Sequence, residues 1–69
     1  MVAKLAVSAA VYAIDKPYDY RVPPTLRVVP GQRVRVPFGQ GNRQTEGVVL
    51  SVEAGEENGL KPVLQVLDD

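Results

Sequence analysis

The sequence predicts an all-β fold, arranged as a small, partly open barrel of five or six short strands. Six prolines and six glycines divide the 69 residues into short segments. None of these segments shows a sustained apolar period of 3.6 residues, which argues against long helices. In several of these segments apolar and polar residues alternate instead, as they do in strands with one buried face. A single flat sheet of this length leaves its apolar face and its edges exposed, so a barrel is favoured.

The first two strands are predicted at residues 2–12 and 18–22. The apolar face of the first strand consists of alternate residues, namely Ala3, Leu5, Val7 and Ala9. The apolar side of the second consists of Tyr18, Tyr20 and Val22. Asp19 faces away from that side because successive side chains of a strand point to opposite faces. Pro23 and Pro24 end the second strand, since two missing amide donors cannot continue a ladder.

A turn and a third strand are predicted next. The segment Val29-Pro30-Gly31-Gln32 carries Pro at its second position and Gly at its third, which is the pattern of a type II turn. Residues 33–38 then show the cleanest alternation in the chain. The inward residues of this strand are Val34, Val36 and Phe38. Arg33 and Arg35 therefore face outward.

The rest of the chain is predicted as a hairpin, an acidic loop and two further strands. Gly39-Gln40-Gly41-Asn42 forms the hairpin connection. Residues 45–53 form the fourth strand. One face of that strand carries Val48, Leu50 and Val52, and the other carries Val49 and Ser51. Residues 54–59 form the loop and residues 60–67 the last strand, where Pro62 marks an edge position or a bulge.

Length and composition indicate one small domain over residues 1–69, similar in size to OB and SH3 domains. Apolar residues make up 45% of the chain and charged residues 23%, which is the balance of a folded domain. The chain has no Cys and no His. Thiol nucleophiles, disulfides, imidazole bases and the usual zinc sites are therefore excluded. With no base-nucleophile pair and no Walker-type lysine, we expect a binding domain and not an enzyme.

The charges of the chain are separated along its length although the net charge is zero. Residues 1–43 hold seven basic and two acidic side chains, a net charge of plus five. Residues 44–69 hold one basic and six acidic side chains, a net charge of minus five. Such a polarised surface steers an anionic ligand to one side.

The first residues are weakly similar to a secretion signal, but the similarity is superficial. Lys4 follows two apolar residues, the apolar stretch is weak, and the sequence continues into a β-rich segment without a clear cleavage site. No run approaches the roughly 20 apolar residues of a membrane span. The lack of cysteine fits a reducing compartment, so we expect a cytoplasmic protein.

Several residues are candidates for ligand contacts, and each also has an ordinary structural explanation. Gly39 begins a segment similar to a phosphate-binding loop, but a strand follows instead of a helix, which favours a plain hairpin. Without a Cβ atom, Gly39 still lets a ligand approach the main chain. Arg33 and Arg35 suit phosphate contacts or a solvated outer face.

The two tyrosines of the second strand, the acid between them and one isolated lysine are the other candidates. Tyr18 and Tyr20 are suited to stacking or to the core. Asp19 is either a ligand contact or a surface turn residue. Lys61 is the single basic residue after Arg43 and either binds an anion or balances local acidic charge.

Taken together, four segments make the chain resemble the N-terminal domain of the bacterial primosomal replication-restart helicase family, PriA. The segments are Tyr18-Asp19-Tyr20-x-Val22-Pro23, Pro30-Gly31-x-Arg33-Val34-x-Val36-Pro37-Phe38-Gly39, Gly47-Val48-Val49, and Leu60-Lys61-Pro62-Val63 with Val66-Leu67-Asp68. The most specific feature is the aromatic-Asp-Tyr segment followed about fifteen residues later by the R-V-x-V-P-F-G strand. The resemblance spans nearly the whole chain.

This resemblance implies a function, a site and a set of partners. In the family this domain binds the 3′-hydroxyl end of the nascent leading strand at stalled or abandoned forks, and positions an ATP-dependent 3′-to-5′ DNA helicase. The implied pocket residues are Tyr18, Asp19, Tyr20, Gly39 and Lys61. ATP, Mg and Zn would belong to the helicase core, so no cofactor is expected in this domain. Implied partners are the remaining helicase chain, single-stranded DNA-binding protein and other primosome proteins.

Two alternatives to a DNA-end domain stay open from the residues alone. The segment from Gly31 to Val36, followed by Gly47-Val48-Val49, also resembles the core of SH3-like or KOW-like modules, which bind RNA or a protein partner. Such a module would not use Tyr18, Asp19 and Lys61 together. The other alternative is a barrel appended to an unrelated enzyme.

Overall fold

The computed structural model describes residues 1–8 and 17–67, and it shows one antiparallel sheet. Its five strands are β1 (Val2–Val7), β2 (Tyr18–Arg21), β3 (Arg33–Phe38), β4 (Arg43–Glu53) and β5 (Gln65–Val66). They lie in the order β2-β1-β4-β3-β5. The predicted all-β fold is confirmed. Within the described ranges no helix is long and apolar enough to cross a membrane.

The barrel is partly open, as predicted. The edge strand β2 is joined to the segment before the other edge strand, β5, by a single bridge. Arg21 of β2 forms an isolated parallel bridge with Pro62. The Arg21 amide donates to the Lys61 carbonyl and the Val63 amide donates to the Arg21 carbonyl, both at 3.0 Å. Because the neighbours of Pro62 make these bonds, its missing N–H costs nothing here.

The last strand is shorter than predicted. Only Gln65–Val66 forms β5, paired with Val34 and Arg35 of β3, whereas the sequence pattern indicates a strand over residues 60–67. Residues 61–63 instead bond to β2, as the Arg21 bridge shows. The final segment therefore divides its hydrogen bonds between two strands, and this brings residue 61 next to β2.

Most of the core is formed by the residues that alternation along β1, β2 and β3 points inward. The buried apolar residues are Ala3, Leu5, Val7, Tyr20, Val28, Val34, Val36, Val49 and Val63. The predicted inward faces of β1, β2 and β3 are confirmed for the described residues. Residues 9–12 of the predicted first strand, Ala9 included, lie outside the described ranges. Phe38 is only partly buried and packs at the margin of the core.

A β-bulge in β4 changes which of its residues face the core. Lys4 of β1 lies opposite Ser51, but the next residue, Leu5, lies opposite Val49. Leu50 is thus the extra residue, and the register of the two strands shifts there. One inserted residue moves the following side chains to the other face, since the side-chain period of a strand is two.

The predicted grouping of Val48, Leu50 and Val52 on one face is wrong for this reason. Val48 and Leu50 are 41% and 53% exposed, whereas Val49 is 1% exposed. Val52, beyond the bulge, packs against the core. Val49 and Val52 therefore both contact the core although they are three residues apart.

Both predicted turns are present on either side of β3. Gly31 has a φ of +90° and the Gln32 amide bonds to the Val29 carbonyl at 3.4 Å, as in a type II turn. Between β3 and β4, the Asn42 amide bonds to the Gly39 carbonyl at 3.2 Å. Gly39, which directly follows Phe38, therefore begins this hairpin.

Candidate functional site

A cleft of about 210 Å³ lies between β2, the end of β3 and the segment before β5. It is lined by Tyr18, Asp19, Tyr20, Phe38, Gly59, Leu60 and Lys61. Four of the five residues assigned to a pocket from the sequence therefore line one cleft, although Lys61 is more than forty positions from Asp19 in the chain. The Arg21–Pro62 bridge positions Lys61 there, since it fixes the neighbouring residue against β2.

Two aromatic rings form one wall of the cleft. Tyr18 and Phe38 pack edge to face, with ring centroids 5.1 Å apart and ring planes at 88°. Both side chains are half-buried, so part of each ring is open to a ligand. The sequence pattern assigns Phe38 to the core only. Its position at the last residue of β3, directly before Gly39, is the signal for a place at the cleft.

Tyr20 lies at the floor of the cleft and is 3% exposed. Its hydroxyl donates a hydrogen bond of 2.8 Å to the Pro37 carbonyl. Burial raises the pKa of Tyr20 above its ordinary value, and the nearby Tyr18 phenol raises it further. The phenol therefore stays protonated at neutral pH and remains a donor to Pro37. This bond joins β2 to β3 beneath the cleft.

Asp19 projects from the face of β2 opposite to Tyr18 and Tyr20, as the alternation predicts, and it lies at the edge of the cleft beside Lys4. The two residues lie directly opposite each other in β2 and β1, and Lys4 Nζ is 3.2 Å from Asp19 Oδ1. Both side chains are 43% exposed. An exposed pair of this kind contributes about 0–1 kcal/mol, so it orients the carboxylate without removing it from ligands.

Lys61 connects the cleft to the β3–β4 hairpin. Its Nζ donates a hydrogen bond of 3.1 Å to the Gly39 carbonyl. Gly39 has a φ of +71°, and a Cβ atom built there meets nothing within 4 Å. The space beside this main-chain segment is therefore open. An ammonium group has three donors, and the bond to Gly39 uses one of them.

Arg33 and Arg35 lie away from the cleft. Arg35 lines a separate groove of about 580 Å³ with Ser8, Gln44, Thr45 and Glu46. Arg33 Nη1 is 3.6 Å from Glu46 Oε1. None of the residues of that groove lines the cleft, so the structure does not bring the two arginines to the predicted pocket. Their contact with phosphates stays a prediction.

Comparison with known proteins gives the affiliation of the chain. Residues 4–69 match the family model PriA 3′BD, described as a 3′DNA-binding domain. The chain belongs to the PriA 3′ DNA-binding domain family. The PriA resemblance noted in the sequence is thereby confirmed.

A curated relative agrees with membership of the PriA family. The chain is 35% identical over 68 residues to the replication restart protein PriA of Bacillus subtilis (strain 168). The match covers 96% of this chain and spans 8% of the length of that relative. The PriA 3′BD match includes the segments that also resemble SH3-like modules, and the structure brings Tyr18, Asp19 and Lys61 to one cleft, which such a module does not require.

Proposed function

We propose that this domain binds the 3′-hydroxyl end of a DNA strand through the cleft, independently of base sequence. The observation that carries the proposal is the meeting of Asp19, Lys61 and the Tyr18–Phe38 aromatic wall in one place. Pockets that enclose whole drug-sized ligands measure roughly 300–1,000 Å³, so the smaller cleft suits part of one terminal nucleotide.

Asp19 distinguishes a chain end from the interior of a chain. An ionised carboxylate accepts a charge-assisted hydrogen bond from a terminal 3′-hydroxyl group. The same carboxylate repels a phosphate at that position, whether it is a 3′-phosphate or the next linkage of a continuing strand. The Lys4 pair leaves the Asp19 side chain 43% exposed, which keeps it accessible to the sugar.

The aromatic wall explains why the proposed recognition tolerates any base. Every base has a π-face, so stacking or edge contact with Tyr18 or Phe38 requires no particular sequence. Tyr20 contributes by supporting this wall from below through its bond to Pro37. Independence of sequence suits a protein that acts at forks wherever they stall.

Lys61, which lines the cleft, and Gly39, which does not line it but accepts a hydrogen bond from Lys61, supply the remaining contacts in this proposal. The Lys61 ammonium has donors left for the sugar oxygens or the nearest phosphate after its bond to Gly39. The open space beside Gly39 admits the nucleotide close to the main chain. Few phosphates are engaged in this arrangement, so we expect modest affinity and a shallow dependence on salt.

We further propose that the domain serves a longer replication-restart helicase. Its relative from Bacillus subtilis is named a replication restart protein, and this chain corresponds to a small part of that length. In the proposed protein, end binding at a stalled fork positions the helicase, and ATP, Mg and Zn belong to that other part. Single-stranded DNA-binding protein and primosome proteins are proposed partners of the whole assembly.

The proposal is tested by changing only the chemistry of the DNA end. We expect an oligonucleotide with a 3′-hydroxyl to bind about tenfold more tightly than the same oligonucleotide with a 3′-phosphate, because one charge-assisted hydrogen bond is replaced by repulsion. Fluorescence anisotropy with an internal label measures both affinities. A pair that differs in a 5′-phosphate is the control and should bind equally. Equal affinity for the two 3′ ends would remove the pocket assignment.

A further inference from the structure

The two sides of the cleft differ in charge. On one side, Asp19 is shared with a second groove of about 280 Å³. The other residues of that groove are Val2, Lys4, Glu53, Ala54, Gly55 and Glu56. Glu53 and Glu56 are exposed, and Lys4 is already paired with Asp19. The groove therefore has an excess of negative charge, which opposes a phosphate backbone on that side.

The other side of the cleft is the β3–β4 hairpin, which carries Arg43. Phe38 and Arg43 are directly paired across the hairpin. Directly opposite residues of an antiparallel pair project to the same face, so Arg43 extends from the face that carries the aromatic wall. Arg43 is exposed, and it forms no ion pair with any residue in ranges 1–8 and 17–67.

We infer that the bound strand leaves the cleft over the β3–β4 hairpin, where Arg43 contacts the phosphate that joins the last two nucleotides. The inference rests on the proposed function, because it requires the terminal nucleotide in the cleft. It assigns Arg43 as a positioning residue that selects the direction of the strand. A guanidinium suits this task, since its planar donors match phosphate oxygens. The acidic groove beyond Asp19 disfavours the opposite path.

The test is a thermodynamic cycle between Arg43→Ala and the charge of the last linkage. Two single-stranded DNA probes ending in a 3′-hydroxyl are compared, one with an ordinary phosphate at the last linkage and one with an uncharged methylphosphonate. Anisotropy measures their binding to the wild type, to Arg43→Ala and to Arg27→Ala. Arg27 is exposed in the loop between β2 and β3, so its variant loses the same charge away from the hairpin.

The wild type and Arg27→Ala should lose about two- to fivefold in affinity when the last linkage becomes uncharged, as expected for one exposed ion contact. Arg43→Ala should bind the probe with the ordinary phosphate as weakly as the wild type binds the methylphosphonate probe. The affinity of Arg43→Ala should therefore be the same for both probes. This variant should also retain the preference for a 3′-hydroxyl over a 3′-phosphate. The slope of log affinity against log salt concentration should become shallower by roughly 0.7, which corresponds to the loss of one phosphate contact on a single strand.

Two results would overturn the inference. One is a wild-type protein that binds both probes equally, and the other is Arg43→Ala responding to the uncharged linkage as strongly as Arg27→Ala does. A wild-type protein without any 3′-hydroxyl preference would instead contradict the proposed function itself, which the inference requires.

Discussion

Replacing Asp19 by Asn should reduce the preference for a 3′-hydroxyl over a 3′-phosphate from about tenfold to nearly none. The amide keeps the size of the side chain but loses the charge that strengthens the bond to a hydroxyl. It also frees Lys4, whose ammonium is 3.2 Å from the carboxylate in the native protein. The freed lysine then attracts a 3′-phosphate, so affinity for the phosphate end should rise while affinity for the hydroxyl end falls.

Glu46→Gln is the matched control for this experiment. Glu46 is an exposed carboxylate of β4 that pairs with Arg33 and lines the groove away from the cleft. Its replacement changes the net charge of the protein by the same amount. Anisotropy with both DNA ends should show an unchanged preference for this variant. If Asp19→Asn retained the full preference while keeping a native circular dichroism spectrum, Asp19 would not be the selecting group.

Leu5→Ala should destabilise the fold by about 2–5 kcal/mol, because it leaves a cavity in the core. Leu5 is fully buried in β1, at the point where the β4 bulge shifts the register. A protein of this size has a total free energy of unfolding of roughly 3–10 kcal/mol. The substitution should therefore remove a large fraction of this stability and lower the midpoint of thermal unfolding by at least about 8 °C. Thermal denaturation followed by circular dichroism measures the effect.

The matched substitution for Leu5→Ala is Leu50→Ala. Leu50 is the extra residue of the bulge and is 53% exposed, so its truncation should cost less than about 1 kcal/mol. Strict alternation along residues 45–53 would instead place Leu50 on the same face as Val52, which packs against the core. Equal destabilisation by the two substitutions would show that the bulge and the burial it produces are wrong.

Most of the sheet can be predicted from the sequence because alternation has a fixed physical meaning. Val34, Val36 and Tyr20 point inward and are buried, as the two-residue period of a strand requires. The face of β4 could not be predicted, since a bulge inserts one residue and no local pattern in a run of apolar residues marks it. The bonding of residues 61–63 to β2 depends on barrel closure, which is a long-range feature.

The candidate site can be predicted partly from individual residues and partly from resemblance to the PriA family. An acid between two tyrosines and a glycine after an aromatic residue are visible in the sequence as candidates. Their meeting with Lys61 follows from the bridge between Arg21 and Pro62, which no periodicity indicates. The pairing of Asp19 with Lys4 likewise depends on strand register, which places them opposite each other.

The most direct test of the cleft as the DNA-end site is an NMR titration of the ¹⁵N-labelled protein with a short single strand ending in a 3′-hydroxyl. The largest amide shifts should occur at Tyr18, Asp19 and Lys61 of the cleft and at Gly39, which is bonded to Lys61, with small changes at Ser8, Thr45 and Glu46 of the Arg35 groove. Largest shifts in the Arg35 groove, with the cleft residues unmoved, would contradict the account.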